Sequence, residues 1–264
     1  MHVPINGIRL AYNDLGQGLP IVFLHAFPLN RTMWAAQEAA LAPHHRVITI
    51  DLRGHGESDA PLWHYSLDQA ADEVKGLLDH LAIRQAVFVG LSMGGYILFA
   101  LYRKYAELVR AMVLADTRAQ ADTTEGKAGR FQMAQIAYTK GPSAIADIMI
   151  PKLFSPATIQ MRPEIVQRVR AIIEGHQISG IAGDLMAMAE RPDSVPLLKQ
   201  ITCPTQIIVG ELDHATPPAD AKLMADQIPG SQLAMIPNAA HLANLEQPEV
   251  FNRIIAGFVS GLKN

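Results

Sequence analysis

One serine stands where the surrounding backbone favours nucleophilic chemistry. Ser92 is the central residue of Gly90–Gly94 (GLSMG), which follows an apolar, β-branched run and precedes a segment of helix formers. This pattern predicts a strand, a tight turn and a helix, because glycines on both sides of the serine let the chain fold back closely. The N–H groups that open the helix supply a partial positive charge beside the hydroxyl. We therefore expect Ser92 to project its hydroxyl away from the end of a strand.

Two polar loops follow strand-like runs further along the chain. One loop follows Thr205–Gly210 and contains Asp213, and the other follows Gln232–Ile236 and contains His241. The carboxyl ends of parallel strands meet at one edge of a sheet, and ligands of such folds gather there. Both loops are therefore expected at the same edge as Ser92.

The elements that must hold these loops alternate between strands and helices. Asn6-Gly7 is a strong hairpin signal and predicts an antiparallel edge, while Ser66–Gln69 has the form of a helix capping box. The alternation predicts an α/β fold, with a mostly parallel twisted sheet covered by helices on both faces. The predicted strands are Val3–Ile5, Ile8–Asp14, Ile21–Leu24, Arg46–Ile50, a run beginning at Ala86, Ala111–Ala115, Thr205–Gly210 and Gln232–Ile236. The predicted helices outside the middle of the chain are Met33–Leu41, Leu67–Leu81, the helix after Ser92, Pro217–Gln227 and Pro248–Leu262.

The pattern changes between Ala119 and Pro196, where no strand is expected. We interpret residues 1–118 and 197–264 as the core and residues 119–196 as a helical cap insertion. The helices predicted there are Arg130–Thr139, Ser143–Ile150, Pro163–Glu174 and Ile178–Glu190. Met133, Met149, Met186 and Met188 could line an adaptable apolar pocket, but methionines at helical spacing more often fill a core, and we expect that role for most of them.

These features resemble the α/β-hydrolase superfamily over nearly the whole chain, in particular a bacterial carboxylesterase-like branch near cofactor-free haloperoxidases, perhydrolases and enol-lactone hydrolases. The resemblance rests on the loop at His25–Pro28, the serine turn, and the chain order serine, aspartate, histidine. Asp116-Thr117-Arg118 and the ending His241–Pro248 look most like the carboxylesterases. The α/β-hydrolase fold is therefore the expected architecture.

The resemblance also implies a role for each group. A serine hydroxyl is a poor nucleophile near neutral pH and needs an imidazole to take its proton, so His241 is the expected base for Ser92. Asp213 is expected to accept from the other imidazole nitrogen and to stabilise the imidazolium. By resemblance, the donors to the oxyanion are the backbone N–H groups of Phe27 and Met93.

Other polar residues compete for these roles. Asp116 also ends a predicted strand, and some relatives carry the acid one strand earlier; we favour Asp213 and expect Asp116 to stabilise its loop. His214 is expected to be a solvated loop residue, because sequence neighbours seldom face each other productively. Structural roles in loops or in the core are expected for His25, His55, Asp51, Arg53, Trp34 and Tyr96.

The chain departs from the family pattern at two positions. Relatives usually carry glycine where this chain has Ala26, before Phe27, and Ala240, before His241. Alanine would strain either loop if the backbone there had a positive φ. We expect both backbones to accept a methyl group without such strain.

Composition excludes several other classes of protein. At 264 residues with 49% hydrophobic content the chain can bury a sizeable core, and a formal net charge of −3 gives no electrostatic reason to expect nucleic acid or a membrane as partner. The single cysteine, Cys203, and the absence of a signal-peptide pattern favour a cytoplasmic location. The histidines form no metal motif and the glycines form no phosphate loop, so we expect no cofactor and no metal. A monomer or a homodimer is expected.

Taken alone, the sequence predicts a serine hydrolase, and most specifically a carboxylesterase that cleaves short- to medium-chain esters through an acyl-enzyme on Ser92. Enol-lactone hydrolase and perhydrolase are alternatives that use the same three residues. A ligand receptor without catalysis is the alternative from a different class, because fold alone does not determine function. The expected partner in every case is a small molecule.

Overall fold

The computed structural model describes residues 1–62 and 65–262. Within those residues a single sheet contains eight strands in the order β1-β2-β4-β3-β5-β6-β7-β8. The strands are β1 His2–Ile5, β2 Ile8–Leu15, β3 Pro20–Leu24, β4 Arg46–Asp51, β5 Ala86–Leu91, β6 Val109–Ala115, β7 Thr205–Gly210 and β8 Gln232–Ile236.

Strand direction confirms the predicted mostly parallel sheet. Strand β2 pairs antiparallel with β1 and with β4, and every other neighbouring pair is parallel. Asn6 and Gly7 both have positive φ, as a tight two-residue hairpin turn requires. Every residue of β5 and of β7 is buried, so both faces of the central sheet are covered.

The helices follow the predicted alternation outside the middle of the chain. Ser66 caps α2 by accepting from the N–H of Gln69 at 3.0 Å, and the predicted helix at Met33 begins as a 3-10 turn over Arg31–Trp34. The α-helices are α1 Ala35–Leu41, α2 Leu67–His80, α3 Met93–Tyr105, α4 Thr124–Lys140, α5 Pro142–Leu153, α6 Pro156–Met161, α7 Pro163–Glu174, α8 Ile178–Ala189, α9 Val195–Leu198, α10 Pro218–Gln227, α11 Ala243–Glu246 and α12 Pro248–Ser260.

Residues 119–196, between β6 and β7, contain helices and no strand. Helix α4 begins before the predicted start at Arg130, because Thr123 accepts from the N–H of Gly126 at 3.1 Å and caps an extra length of helix. Gly126 and Gly129 lower helix propensity and hide this first part from a sequence reading. Helices α6 and α9 are short and were not predicted. The division into core and cap stays a prediction about folding units.

The register of the sheet aligns the strand ends that carry the polar loops. Leu24 pairs with Gly90, Leu91 with Ala115, and Gly210 with Ile236, so β3, β5, β6, β7 and β8 end at one edge. A hydrophobic core lies beneath that edge, where fully buried Trp34 packs against Phe23 and Phe251. Across the described ranges, no helix combines the length and apolarity needed to cross a bilayer.

Candidate active site

Ser92 stands in a strained turn between β5 and α3. Its φ of 54° and ψ of −111° lie outside the regions that non-glycine residues ordinarily adopt. The turn is possible because the chain passes very close to itself: a methyl group at Gly90 would lie 2.5 Å from the carbonyl of Gly94, and one at Gly94 would lie 2.2 Å from the carbonyl oxygen of Leu24. Gly95 packs in the same way against Thr117. The backbone therefore holds the Ser92 hydroxyl at the end of the sheet.

The structure brings Ser92, His241 and Asp213 into one hydrogen-bonded chain. His241 Nε2 lies 2.9 Å from Ser92 Oγ, and His241 Nδ1 lies 2.8 Å from Asp213 Oδ2. All three side chains are buried, although Ser92 and His241 also line a pocket. These distances are within reach for proton transfer from a hydroxyl to an imidazole.

The surroundings of Asp213 determine which imidazole nitrogen carries the proton. Burial raises the pKa of Asp213, but the neighbouring His241 and hydrogen bonds from Thr216 outweigh it, so the pKa is lowered from its ordinary value. Asp213 accepts from the N–H groups of Ala215 and Thr216 at 2.8 and 2.9 Å and from the Thr216 hydroxyl at 2.7 Å. An ionised Asp213 can only accept, so Nδ1 of His241 is the donor and Nε2 is free to accept from Ser92.

Asp116, the competing carboxylate, lies close by but points elsewhere. Its Oδ1 accepts from the N–H of Gly210 at 2.7 Å, which ties the end of β6 to the end of β7. Burial raises the pKa of Asp116 well above its ordinary value. Asp116 therefore stabilises this loop, as expected, and the partner of the His241 imidazole is Asp213.

Ala26 and Ala240, which precede Phe27 and His241, have ordinary backbone conformations. Neither Ala26 nor Ala240 has a positive φ, so a methyl group is accepted at both positions where relatives usually carry glycine.

Among the hydrogen bonds of residues 1–62 and 65–262, none uses the N–H of Phe27 or of Met93 as a donor. Phe27 lines the pocket beside Ser92, and Met93 opens α3, whose first N–H groups have no partner within the helix.

A pocket of about 500 Å³ opens above Ser92 and His241 and is bounded by helices α4, α5 and α8. Met133, Met149 and Met188 pack in or against the core, as expected for most of the methionines, and they also form part of the pocket wall, which was the alternative role. The reason is that these helices face the open edge of the sheet, so their apolar faces are shared between core and pocket. The remaining apolar wall is formed by Phe27, Tyr96, Ile136, Ile148 and Leu153.

The other residues considered from the sequence have structural contacts. His25 accepts from the N–H of Leu52 at 3.0 Å and so ties the Phe27 loop to the end of β4. His55 contacts Asp184 of α8 at 2.7 Å rather than its own loop. Tyr96 both lines the pocket and lies under the Arg191 guanidinium. Trp34 is in the core and His214 is exposed. Asp51 forms an ion pair with Arg31, and Arg53 forms one with Glu73.

Nothing in the sequence indicates that Glu246, a buried carboxylate, contacts the loop that carries His241. Glu246 accepts from the N–H of Ala240 at 2.5 Å and, through its other oxygen, from the N–H and hydroxyl of Ser155 at 2.9 and 2.6 Å. It thereby joins the loop that carries His241 to the end of α5. Glu246 belongs to the ending that carries the family resemblance, but only the fold shows which groups it holds.

The residues described by the structure include no cluster of three or more histidine, cysteine, aspartate or glutamate side chains arranged to hold a metal ion.

Comparison with solved structures supports the same architecture. A thermophilic esterase from Thermogutta terrifontis, in its malate-bound structure, has a TM-score of 0.97 and 40% sequence identity, with 100% of both chains covered. The enol-lactonase from Burkholderia xenovorans has a TM-score of 0.93 and 31% identity, covering 98% of this chain and 100% of that one.

Sequence comparison identifies similar proteins and the family. 3-Oxoadipate enol-lactonase 2 from Acinetobacter baylyi is 33% identical over 250 residues, which are 94% of this chain and 92% of that protein. The family model for the alpha/beta hydrolase fold matches residues 20–248. A match of that extent, together with the parallel sheet and the serine turn, shows that this chain belongs to the α/β-hydrolase family.

Proposed function

We propose that this hydrolase is a serine carboxylesterase that cleaves short- to medium-chain esters through an acyl-enzyme on Ser92. The observation that carries this proposal is the continuous hydrogen-bonded chain from Ser92 through His241 to Asp213, at the floor of a pocket with a largely apolar wall. An apolar pocket of about 500 Å³ suits an acyl or alcohol group of moderate length.

Acylation begins when Ser92 Oγ attacks the ester carbonyl carbon and its proton passes to His241 Nε2. Asp213 keeps the imidazole oriented and stabilises the positive charge that it acquires. The carbonyl π electrons move to the oxygen, which becomes the oxyanion. When this intermediate collapses, the bond to the alkoxy oxygen breaks and His241 returns its proton to the leaving alcohol.

The N–H groups of Phe27 and Met93 are our proposed donors to the oxyanion. Neither N–H is used elsewhere within the described residues, and both belong to segments that meet at Ser92. The start of α3 adds the partial positive charge of a helix N-terminus. Removing one donor of this kind typically reduces kcat by about 10²–10³.

Deacylation repeats the steps with water as the nucleophile. His241 takes one proton from the water as its oxygen attacks the acyl carbon, and then returns that proton to Ser92 Oγ as the acyl bond breaks. The products are a carboxylic acid and the free enzyme. No other co-reactant is needed.

The proposal is tested by kcat/KM for p-nitrophenyl esters from acetate to decanoate, with Ser92→Ala as the blank. We expect an optimum at short to medium chain length and a loss of at least about 10³ in the variant, since the nucleophile is removed. Asp116→Asn is the matched carboxylate control and should retain most activity, because it removes no contact to His241. Turnover by Ser92→Ala at the wild-type rate would overturn the proposal.

Enol-lactone hydrolysis is a second candidate, because two similar proteins with more than nine-tenths of this chain covered are enol-lactonases. An enol-lactone is the cyclic ester of an enol and would be opened by the same steps, with the enol oxygen as the leaving group, still attached to the acyl group through the ring carbons. Measuring enol-lactone and open-chain ester hydrolysis side by side distinguishes the two. A kcat/KM that is higher for the lactone by a factor of about 10² or more would favour this second candidate.

A further inference from the structure

The pocket wall carries a concentration of positive charge that apolar ester hydrolysis does not require. Arg118, Arg130 and Lys152 line the pocket, whereas Asp122 is the one carboxylate that the described residues contribute to its lining. This positive wall belongs to a chain whose formal net charge is −3. The charge of the pocket is therefore opposite in sign to that of the molecule.

Asp122 does not cancel this charge, because two arginines share it. Its carboxylate forms ion pairs with Arg130 and with Arg191. Burial raises the pKa of Asp122, but hydrogen bonds and charges from these arginines lower it to about 2, so the carboxylate is ionised and fully engaged. One carboxylate thus neutralises two guanidinium groups only in part.

The net charge of the side chains at the pocket stays positive when the nearby carboxylates are included. Arg118 is paired with Asp220, at 3.4 Å between Nε and Oδ2. Counting Arg118, Arg130, Arg191 and Lys152 against Asp122, Asp220 and the ionised Asp213 beneath the pocket floor, one positive charge remains in excess. Such an excess in a concave, low-dielectric site attracts anions.

Two of these cations have donors available to a ligand. Lys152, at the end of α5, is exposed at the pocket and has no hydrogen bond or ion pair with any residue in 1–62 or 65–262. Arg130 directs Nη1 at the sulfur of Met188, 3.3 Å away. A thioether is a weak acceptor, so a carboxylate would be a better partner for that N–H.

We propose that the pocket selects esters or lactones that carry a carboxylate in addition to the bond to be cleaved, and that Lys152 and Arg130 are the residues that recognise it. This inference rests on the proposed ester hydrolysis at Ser92 and names the substrate class of that site. The methionines of the wall contact the connecting carbon chain, while the cations at α4 and α5 bind the anionic end.

An apolar wall alone predicts the opposite preference. Moving a carboxylate from water into an apolar site is costly, so a neutral ester of equal length would be the better substrate. A faster reaction of the charged ester therefore requires compensating positive charge. Whether the charged or the neutral ester reacts faster therefore distinguishes a positively charged wall from a purely apolar one.

The experiment uses three ethyl esters of matched length that differ at the far end of the acyl chain. Ethyl hydrogen adipate ends in a carboxylate, ethyl hexanoate in a methyl group and ethyl 6-aminohexanoate in an ammonium group. Their kcat/KM values are measured at low ionic strength, about 20 mM, where charge effects are least screened. The same comparison is made on the alcohol side with 6-acetoxyhexanoate, hexyl acetate and 6-aminohexyl acetate.

We expect the carboxylate to give the highest kcat/KM in at least one series and the ammonium group the lowest in that series. The advantage over the neutral ester should be about threefold or more and should shrink in about 300 mM salt. Lys152→Met should reduce the ratio of kcat/KM for the carboxylate ester to kcat/KM for the neutral ester by about threefold to tenfold.

Lys127→Met is the matched control, because Lys127 is an exposed lysine on α4 that does not line the pocket. It should leave the ratio of the two esters unchanged. Higher kcat/KM for the neutral ester in both series, or equal effects of the two lysine variants, would overturn the inference. Failure of the proposed function is distinguishable, because in that case no ester in either series would show hydrolysis that depends on Ser92.

Discussion

The two sides of the helical segment 119–196 meet the rest of the molecule in different ways. Helix α8 and His176, which we call the docked side, contact the loop that follows β4. Helices α4 and α5, the pocket side, supply most of the helical lining of the space above Ser92, to which α8 adds Met188. The docked side is held by close backbone contact and buried polar groups, whereas the pocket side presents side chains of mixed chemistry to a ligand.

Backbone contact on the docked side leaves no room for a side chain. A methyl group at Gly180 of α8 would lie 2.0 Å from the carbonyl oxygen of Gly54. Nearby, the Ser179 hydroxyl donates to the carbonyl of Ala60 at 3.1 Å. Gly183 packs with similar closeness against the ring of Tyr65. Helix α8 is therefore fixed in position by contacts that tolerate no added atom.

Buried histidines complete this contact. The rings of His55 and His176 lie 4.5 Å apart, and those of His25 and His55 lie 5.1 Å apart. Since His25 begins the loop that carries Phe27, these edge-to-face ring contacts connect the docked side to a proposed oxyanion donor. Burial lowers the pKa of His25 and of His55 to about 3 and that of His176 to about 2, so all three are neutral near pH 7.

Helix α4 of the pocket side is packed more loosely than α8 of the docked side. In α4 only Ala134 and Ala137 are buried, and Gly129 has nothing within 4 Å of the position a methyl group would occupy. The comparison shows that one helical segment combines a rigid attachment with a pocket wall. Side chains of that wall can be replaced with little loss of stability. Substrate choice can then change on the pocket side without moving the serine, histidine and aspartate.

The largest effect expected from this comparison is a difference between two glycine substitutions. Gly180→Ala forces α8 away from Gly54, so we expect the free energy of unfolding to fall by about 2–3 kcal/mol. Gly129→Ala, also inside a helix, meets no neighbour and should raise it by about 0.5–1 kcal/mol through better helix propensity. Urea unfolding followed by circular dichroism measures both. Equal changes in the two variants would show that the docked side is not tightly packed.

A smaller effect is expected for the pH dependence of stability. His176 accepts from the N–H of Gly56 at 3.3 Å and has a folded pKa of about 2, whereas an unfolded histidine titrates near 6.5. The unfolded state therefore binds the extra proton first, and stability present above about pH 6.5 is lost as pH falls. For this one group the loss amounts to about 2 kcal/mol at about pH 5.

His176→Asn keeps an acceptor for Gly56 but removes the titrating ring. Between about pH 7.5 and pH 5, we expect the variant to lose about 2 kcal/mol less of its free energy of unfolding than the wild type. His214→Asn, at an exposed loop position, is the matched control and should behave like the wild type. Identical pH dependence in wild type and His176→Asn would contradict a neutral, buried His176.

Much of this architecture could be predicted because its signals are local. The Asn6-Gly7 turn, the Ser66 cap and the β-branched run before Gly90 act through residues adjacent in sequence, and the structure confirms the elements that they predict. The order of Ser92, Asp213 and His241 could be read because each follows its own strand. Parallel strands then bring these loops to one edge.

What could not be predicted depends on contacts between distant segments. Nothing near Gly180 in sequence shows that its partner is Gly54, and nothing near Asp184 shows that it binds His55. The first part of α4 was missed because two glycines conceal it. Likewise, a methionine at helical spacing looks the same in sequence whether its helix faces a core or a pocket.

The measurement that tests the central claim most directly is covalent labelling with a fluorophosphonate, followed by intact mass and peptide mapping. An activated serine attacks the phosphorus and expels fluoride, so we expect one adduct, on the peptide that contains Ser92. His241→Gln should slow labelling by at least about 10², because the base is removed. A wild-type protein that remains unlabelled, or that is labelled at another residue, would contradict the account and favour a ligand-binding role for the pocket.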